Sequence, residues 1–112
     1  LELFDELRAA DDVEPDVIAY TAALSALAKG GQWEKALELF DDMKRRGLRP
    51  EVITYSTIIS ACERAGQWRK ALELFDELRA ADDVEPDVIA YTAALSALAK
   101  GGQWEKALEL FD

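Results

Sequence analysis

Apolar side chains recur along this chain with a helical period, and the positions between them are polar. Trp33, Ala36, Leu37, Phe40 and Met43 stand at i, i+3, i+4, i+7 and i+10, which is one stripe of an α-helix. Glu34, Lys35, Glu38 and Asp41 fall largely on the other side. Trp68, Ala71, Leu72, Phe75 and Leu78 repeat the stripe. Each stripe follows a segment that is apolar on more than one face. In the first, Val17, Ile18, Tyr20, Ala23, Leu24, Leu27 and Ala28 predict a helix from about Val17 to Lys29 that is buried on most sides. Asp16, after Pro15, suits the N-cap. Gly30 and Gly31 supply a permissive backbone for a tight turn, with the second helix starting near Gln32 or Trp33. Gly47 is placed to close that helix, with Pro50 beyond it. In the next copy Ala65-Gly66 replaces the glycine pair. That copy has no glycine after its second helix and is one residue longer through Ala80 to Asp83, so this helix is expected to end less cleanly. Helices of about 13 residues are marginal alone, so packing must supply most of their stability.

The hairpins repeat. Residues 1–41 recur without change at 72–112. Within that unit lies a weaker period: residues 17–51 match 52–87, lengths of 35 and 36, and a third copy starts at Val88. Design, recent duplication or averaging over repeats each produce identity of this length. The expected architecture is all-α, a right-handed α-solenoid of tandem antiparallel helix hairpins. Residues 17–51 and 52–87 are repeats, 88–112 a truncated repeat and 1–16 the tail of a preceding one, so the chain reads as an excerpt of a longer array. In such an array each hairpin buries its apolar face on its neighbours.

Composition narrows the chemistry. The one cysteine, Cys62, precludes an intrachain disulfide, and histidine is absent. No zinc-type spacing remains, and no metal or cofactor is expected. No apolar run approaches the roughly 20 residues of a membrane span, so no membrane partner is expected. The net charge of −10 argues against a nucleic-acid partner, whose affinity rests on neutralising phosphates. Its distribution changes that picture. The acid lies mostly in the connector DELRAADDVEPD, present twice, whereas DDMKRRGLRPE is locally basic.

Four features together resemble one family. These are V-I-x-Y at the start of the first helix, A/G-G-x-W at the turn, A-L-E-L-F-D in the second helix, and the closing Pro15-Asp16, Pro50-Glu51 and Pro86-Asp87. With the period of 35 to 36, the whole chain resembles the pentatricopeptide repeat. The resemblance implies binding of single-stranded RNA at about one base per repeat, with the first helices lining the concave surface. It implies base-reading pairs in the residue after the tyrosine and the residue closing the repeat: Thr21 with Glu51, and Ser56 with Asp87. Thr92 and Asp16 each lack a partner in this chain. A small hydroxyl residue implies a purine, and a closing Asp implies guanine over adenine. Glu51 departs from the family's usual Asp or Asn. Ile18, Ile53 and Ile89 match the positions that pack on base faces. Lys29, Arg64 and Lys100 match the phosphate-binding basic position. The family is typically organellar, but nothing in these residues assigns a compartment.

Each assignment has a plain structural counterpart. Thr21, Ser56 and Thr92 are also small polar residues on a helix. A cation in a helix's last turn is stabilised by the dipole. Trp33, Trp68 and Trp104 have apolar neighbours and are expected in the core rather than stacked on bases. Cys62 reads as a small buried residue, with nothing nearby to lower its pKa. Glu63 and Glu105 read as solvated helix-face residues. No paired acids, nucleophile–base set or phosphate-cradling loop is present, so no catalytic residue and no enzymatic activity are expected.

A second function class competes: a structural or self-assembling solenoid without nucleic acid. Acidic (Glu6 to Asp16), basic (Lys44 to Arg49) and acidic (Glu77 to Asp87) connectors alternate along one edge and are expected to pair between superhelical turns or between molecules. Leu1, Leu3 and Phe4 at one end, and Trp104, Leu108 and Phe111 at the other, would expose apolar surface that associates.

Overall fold

The computed structural model describes residues 16–110. Among them lie α1 (Val17–Lys29), α2 (Trp33–Arg45), α3 (Val52–Arg64), α4 (Trp68–Ala80), α5 (Val88–Lys100) and α6 (Trp104–Glu109), with no strand. Leu1, Leu3, Phe4, Glu6 and Phe111 lie outside the described residues.

The helices pair as α1–α2, α3–α4 and α5–α6, and the first helix of each hairpin stacks on the next, α1 on α3 and α3 on α5. Each second helix also packs on the first helix of the following hairpin, α2 on α3 and α4 on α5. The result is an all-α helical solenoid with principal extents of 49 × 29 × 19 Å. The first helices form a continuous row along it.

Local chemistry sets the helix ends. Asp16 Oδ1 accepts from Ala19 N–H at 2.9 Å, and Asp87 Oδ1 from Ala90 N–H at 2.8 Å. These bonds satisfy main-chain donors that a helix start leaves free. At the turns Gly31, Gly66 and Gly102 take φ near +74°, and the next residue's N–H reaches back to the helix (Gln32 to Leu27 O, 2.9 Å). Gly47 does the same after α2, with Leu48 N–H on Met43 O. α4 has no such residue. It stops at Ala80 all the same, because Ala81 turns extended while its N–H is shared between Glu77 O and Leu78 O. The extra residue is therefore absorbed in the connector, not in the helix.

The core runs through every hairpin junction: Tyr20, Leu24, Phe40, Met43, Ile58, Ile59, Phe75, Leu78 and Leu98 are all fully buried. The ring of each second-helix phenylalanine meets the next hairpin's tyrosine edge-on, Phe40 with Tyr55 at 5.4 Å and Phe75 with Tyr91 at 4.9 Å. Such pairs add to the area they bury.

Three expectations need correction. Leu39 and Leu74, outside the predicted stripe, are buried, because the second helices are covered by two hairpins rather than one. Ile18 is 74% exposed, so the first helices keep one open face. The tryptophans are not fully core. Trp33 and Trp68 are half-buried and Trp104 is exposed. The Trp68 indole fills the space that a Cβ on Gly101 would need, so it covers the next hairpin's turn. Among the described residues no hairpin follows α6 to receive Trp104.

The connectors pair inside the chain. Lys44 Nζ bonds both carboxylate oxygens of Glu77 at 3.0 Å, and Arg49 bonds Asp83 at 3.2 Å. The basic connector of one hairpin thus meets the acidic connector of the next as neighbours in one molecule.

Candidate nucleic-acid interface

Five of the residues singled out above, Ile53, Ile89, Ser56, Lys29 and Arg64, converge on the open face of the first-helix row, whereas Ile18 and Glu51 line a separate cavity with Leu48, Arg49 and Val84. Ile53 and Ile89, 58% and 61% exposed, project from the first turns of α3 and α5. Both line one groove with Ser56, Thr57, Ser60, Ser25, Lys29 and Arg64, a volume of ≈ 260 Å³. Exposed isoleucines at the same place in successive helices are apolar surface the fold does not use.

Between those isoleucines, Ser56 Oγ donates to Asp87 Oδ1 at 2.9 Å and lies 3.0 Å from Val52 O. Asp87 performs two tasks with that oxygen, capping α5 through Ala90 N–H and accepting from Ser56. Its position is therefore held from both hairpins. The structure brings this predicted pair together.

The other pair is arranged differently. Thr21 Oγ1 lies 2.8 Å from Thr54 Oγ1, not on Glu51. Thr54 Oγ1 also accepts from Glu51 N–H at 3.2 Å, part of an N-terminal capping box at the start of α3. Ala19 and Ala90 hold the place of Thr54 in the other copies, so Ser56 meets no hydroxyl there. Thr54 was not singled out from the sequence. Its signal was a lone hydroxyl where the copies carry alanine. Thr92 is exposed on α5.

Of the three basic positions, Lys29 and Arg64 are exposed and border the groove. Lys100 is held by Glu63 of the preceding hairpin, a part-buried carboxylate that the sequence suggested was merely solvated. Neither Ala28 nor Ala99, at the corresponding places in the other copies, offers such an acceptor.

Two ionisable groups are displaced by their surroundings. Burial pushes the Cys62 thiol up to about 11, outweighing the opposing charge of Lys70. The thiol is therefore an inert core group, as expected, although one nearby charge does pull its pKa down. Burial, then the charge of Glu77, its hydrogen bond, and the charge of Asp83 raise Tyr55 well above the ordinary tyrosine value. Its hydroxyl donates to Glu77 Oε2 at 3.0 Å, as Tyr20 donates to Asp42 at 2.7 Å. No cluster of potential metal ligands occurs among the described residues, and no helix there is long and apolar enough to cross a membrane.

The model of the PPR repeat family matches residues 15–64 and 50–100, and that of the PPR repeat matches 89–112. The chain belongs to the PPR repeat family. Its similarity to curated PPR proteins is local. It is 38% identical over 47 residues to a chloroplastic pentatricopeptide repeat-containing protein of Arabidopsis thaliana, covering 42% of this chain and 7% of that one. It is 44% identical over 46 residues to the chloroplastic pentatricopeptide repeat-containing protein 10 of Zea mays, covering 41% of this chain and 6% of that one. Among solved PPR structures, PPR10 in complex with an 18-nt psaJ RNA element has a TM-score of 0.77 at 38% identity, over 86% of this chain and 14% of that one. PPR10 from maize has a TM-score of 0.84 at 28% identity, over 98% of this chain and 16% of that one. This PPR chain thus spans only a small part of each relative's length.

Proposed function

We propose that the chain is a single-stranded RNA-binding module in which each hairpin meets about one base. Its units are residues 17–51, 52–87 and the incomplete 88–112, with 1–16 belonging to a preceding unit. The observation that carries this reading is the Ser56–Asp87 hydrogen bond of 2.9 Å set between exposed Ile53 and Ile89. It is a polar pair at a fixed place, flanked by apolar surface suited to the faces of a base. PPR10, similar over 86% of this chain, is solved with RNA, which supports the same partner here.

The pair's chemistry favours one base. Ser56, buried but lining the groove, gives its proton to Asp87, so the pair has lone pairs and no hydroxyl donor to offer a base. Guanine offers the donors such an edge requires. Lys29 and Arg64 are the phosphate partners that suit this face, whereas Lys100 contributes less while Glu63 holds it. Thr21, Glu51 and Thr92 complete the reading positions, with Glu51 less suited than Asp87 because it is longer and Thr21 is bonded elsewhere. The module binds rather than catalyses. Pairing of the connectors within the chain removes one motive for the self-assembling reading, and the exposed Trp104 and Leu108 are what supports it.

The net charge of −10 opposes phosphate, so the test uses an array of the 71-residue unit (residues 1–71) repeated about five times and capped at both ends. Fluorescence anisotropy with labelled G-rich, A-rich, U-rich and C-rich RNAs at two salt concentrations reads out affinity. Salt-sensitive binding with a purine preference supports the proposal. Absence of binding at low salt refutes it.

A further inference from the structure

The two reading hydroxyls are wired with opposite polarity, and the difference traces to one residue. Ser56 has its proton committed inside the protein, to the Asp87 carboxylate at 2.9 Å and close to Val52 O. Ser56 is itself buried, at 4% exposure, so at the groove it lines it has only lone pairs to offer a ligand. Thr21 meets Thr54, and either oxygen of that 2.8 Å contact could be the donor. Burial decides between them. Thr54 is fully buried, and its oxygen already accepts from Glu51 N–H. Among the described residues its hydroxyl proton has one acceptor within reach, Thr21 Oγ1. A buried donor left unpaired is strongly disfavoured, whereas Thr21 is only part-buried and its own proton can reach solvent. The proton of Thr54 therefore points at Thr21, and the proton of Thr21 points away from Thr54.

We propose that Thr54 is a positioning residue that determines specificity, turning Thr21 into a hydrogen-bond donor toward the RNA base while Ser56 remains an acceptor. The hairpin of Thr21 then selects a base edge presenting a ring nitrogen or carbonyl acceptor. The hairpin of Ser56 selects an edge presenting N–H. The proposal rests on the RNA-binding reading above, but half of it concerns the free protein. Removing the Thr54 hydroxyl releases Thr21. Its proton then turns onto its own helix carbonyl at Val17, as Ser56 lies on Val52 O and Thr57 donates to Ile53 O. The fold tolerates the change, because Ala19 and Ala90 occupy the same place without a hydroxyl.

The first measurement is NMR of hydroxyl protons in the full chain without RNA. A Thr54 hydroxyl proton protected from solvent, with cross-relaxation to Thr21 and a fast-exchanging Thr21 proton, is expected. A protected Thr21 proton directed at Thr54 overturns the proposal whatever RNA does. The second is an anisotropy titration of the capped tandem array, as wild type and with Thr54→Val or Thr54→Ser in every unit, with oligoadenosine and its 1-, 3- and 7-deaza analogues, each lacking one acceptor nitrogen. One analogue is expected to bind wild type and Thr54→Ser about five-fold more weakly than oligoadenosine, the contribution of one neutral hydrogen bond. Thr54→Val should show no such discrimination. Equal discrimination in Thr54→Val overturns the role of Thr54 while leaving RNA binding intact. A flat titration with wild type as well overturns RNA binding itself, and the base-reading role with it.

Discussion

Tyr55→Phe tests how the solenoid's polar links contribute. The phenol is buried, its hydroxyl donates to Glu77 at 3.0 Å, and Glu77 is also held by Lys44. The substitution leaves the ring and its edge-on contact with Phe40 in place. A hydrogen bond to a charged group is worth about 1.5–3 kcal/mol. The Glu77 side chain is 39% exposed, so water replaces part of that, and a loss of about 1–2 kcal/mol is expected. The Lys44–Glu77 pair, exposed by more than a third on both sides, adds only about 0–1 kcal/mol. Urea unfolding followed by both circular dichroism and tryptophan fluorescence measures the change. Coincident transitions are needed, since repeat arrays can unfold in parts. A double-mutant cycle with Glu77→Gln should give a coupling of about 1 kcal/mol. No coupling, or a loss below about 0.5 kcal/mol, would refute the argument. The proton linkage has a definite sign. The folded-state pKa of Tyr55 is raised above the ordinary 10.0, so its stabilisation is complete below pH 10. It drains away as pH rises beyond that, because the unfolded chain ionises first. Tyr55→Phe should remove that part of the alkaline fall.

Gly66→Ala places a methyl in open space but at φ +74°. Stability should fall by about 1–2 kcal/mol from backbone strain alone, read from the urea midpoint. Native Cys62, with its thiol pushed up to about 11 and its side chain buried, should react with a thiol-specific disulfide reagent only as fast as the chain opens. Rapid reaction in the folded protein would contradict that burial. Glu63→Gln removes the carboxylate charge that holds Lys100. In the tandem array it should raise RNA affinity and steepen the salt slope by about one per freed contact. An unchanged slope would mean that Lys100 does not meet phosphate.

Much of the fold was legible because helix chemistry is local. The i, i+3, i+4 stripes, Asp16 as a cap and glycines at the turns depend on residues within a few positions of one another, and α1 and α2 begin and end where those signals lie. The period of 35 to 36 extended the same reading to a solenoid. The candidate site was legible only as positions. Ile18, Ile53 and Ile89 were found through family resemblance, and their apolar character alone suggested burial.

Partners lying more than thirty positions apart were settled by tertiary structure. The sequence contains alternating acidic and basic connectors, but only stacking of the hairpins brings Lys44 onto Glu77 and Arg49 onto Asp83. It contains Thr21, Thr54, Ser56 and Asp87, but which hydroxyl meets which group depends on the offset between α1, α3 and α5. Sequence periodicity determined that there would be helices, hairpins and a repeat, because those follow from near neighbours and a hydrophobic face. The lateral register of one hairpin on the next decided which charges are neutralised, which isoleucines stay open and which hydroxyl proton faces the groove. The packing of Phe40 on Tyr55 and Phe75 on Tyr91 is part of that register, through contacts between hairpins that no local pattern encodes.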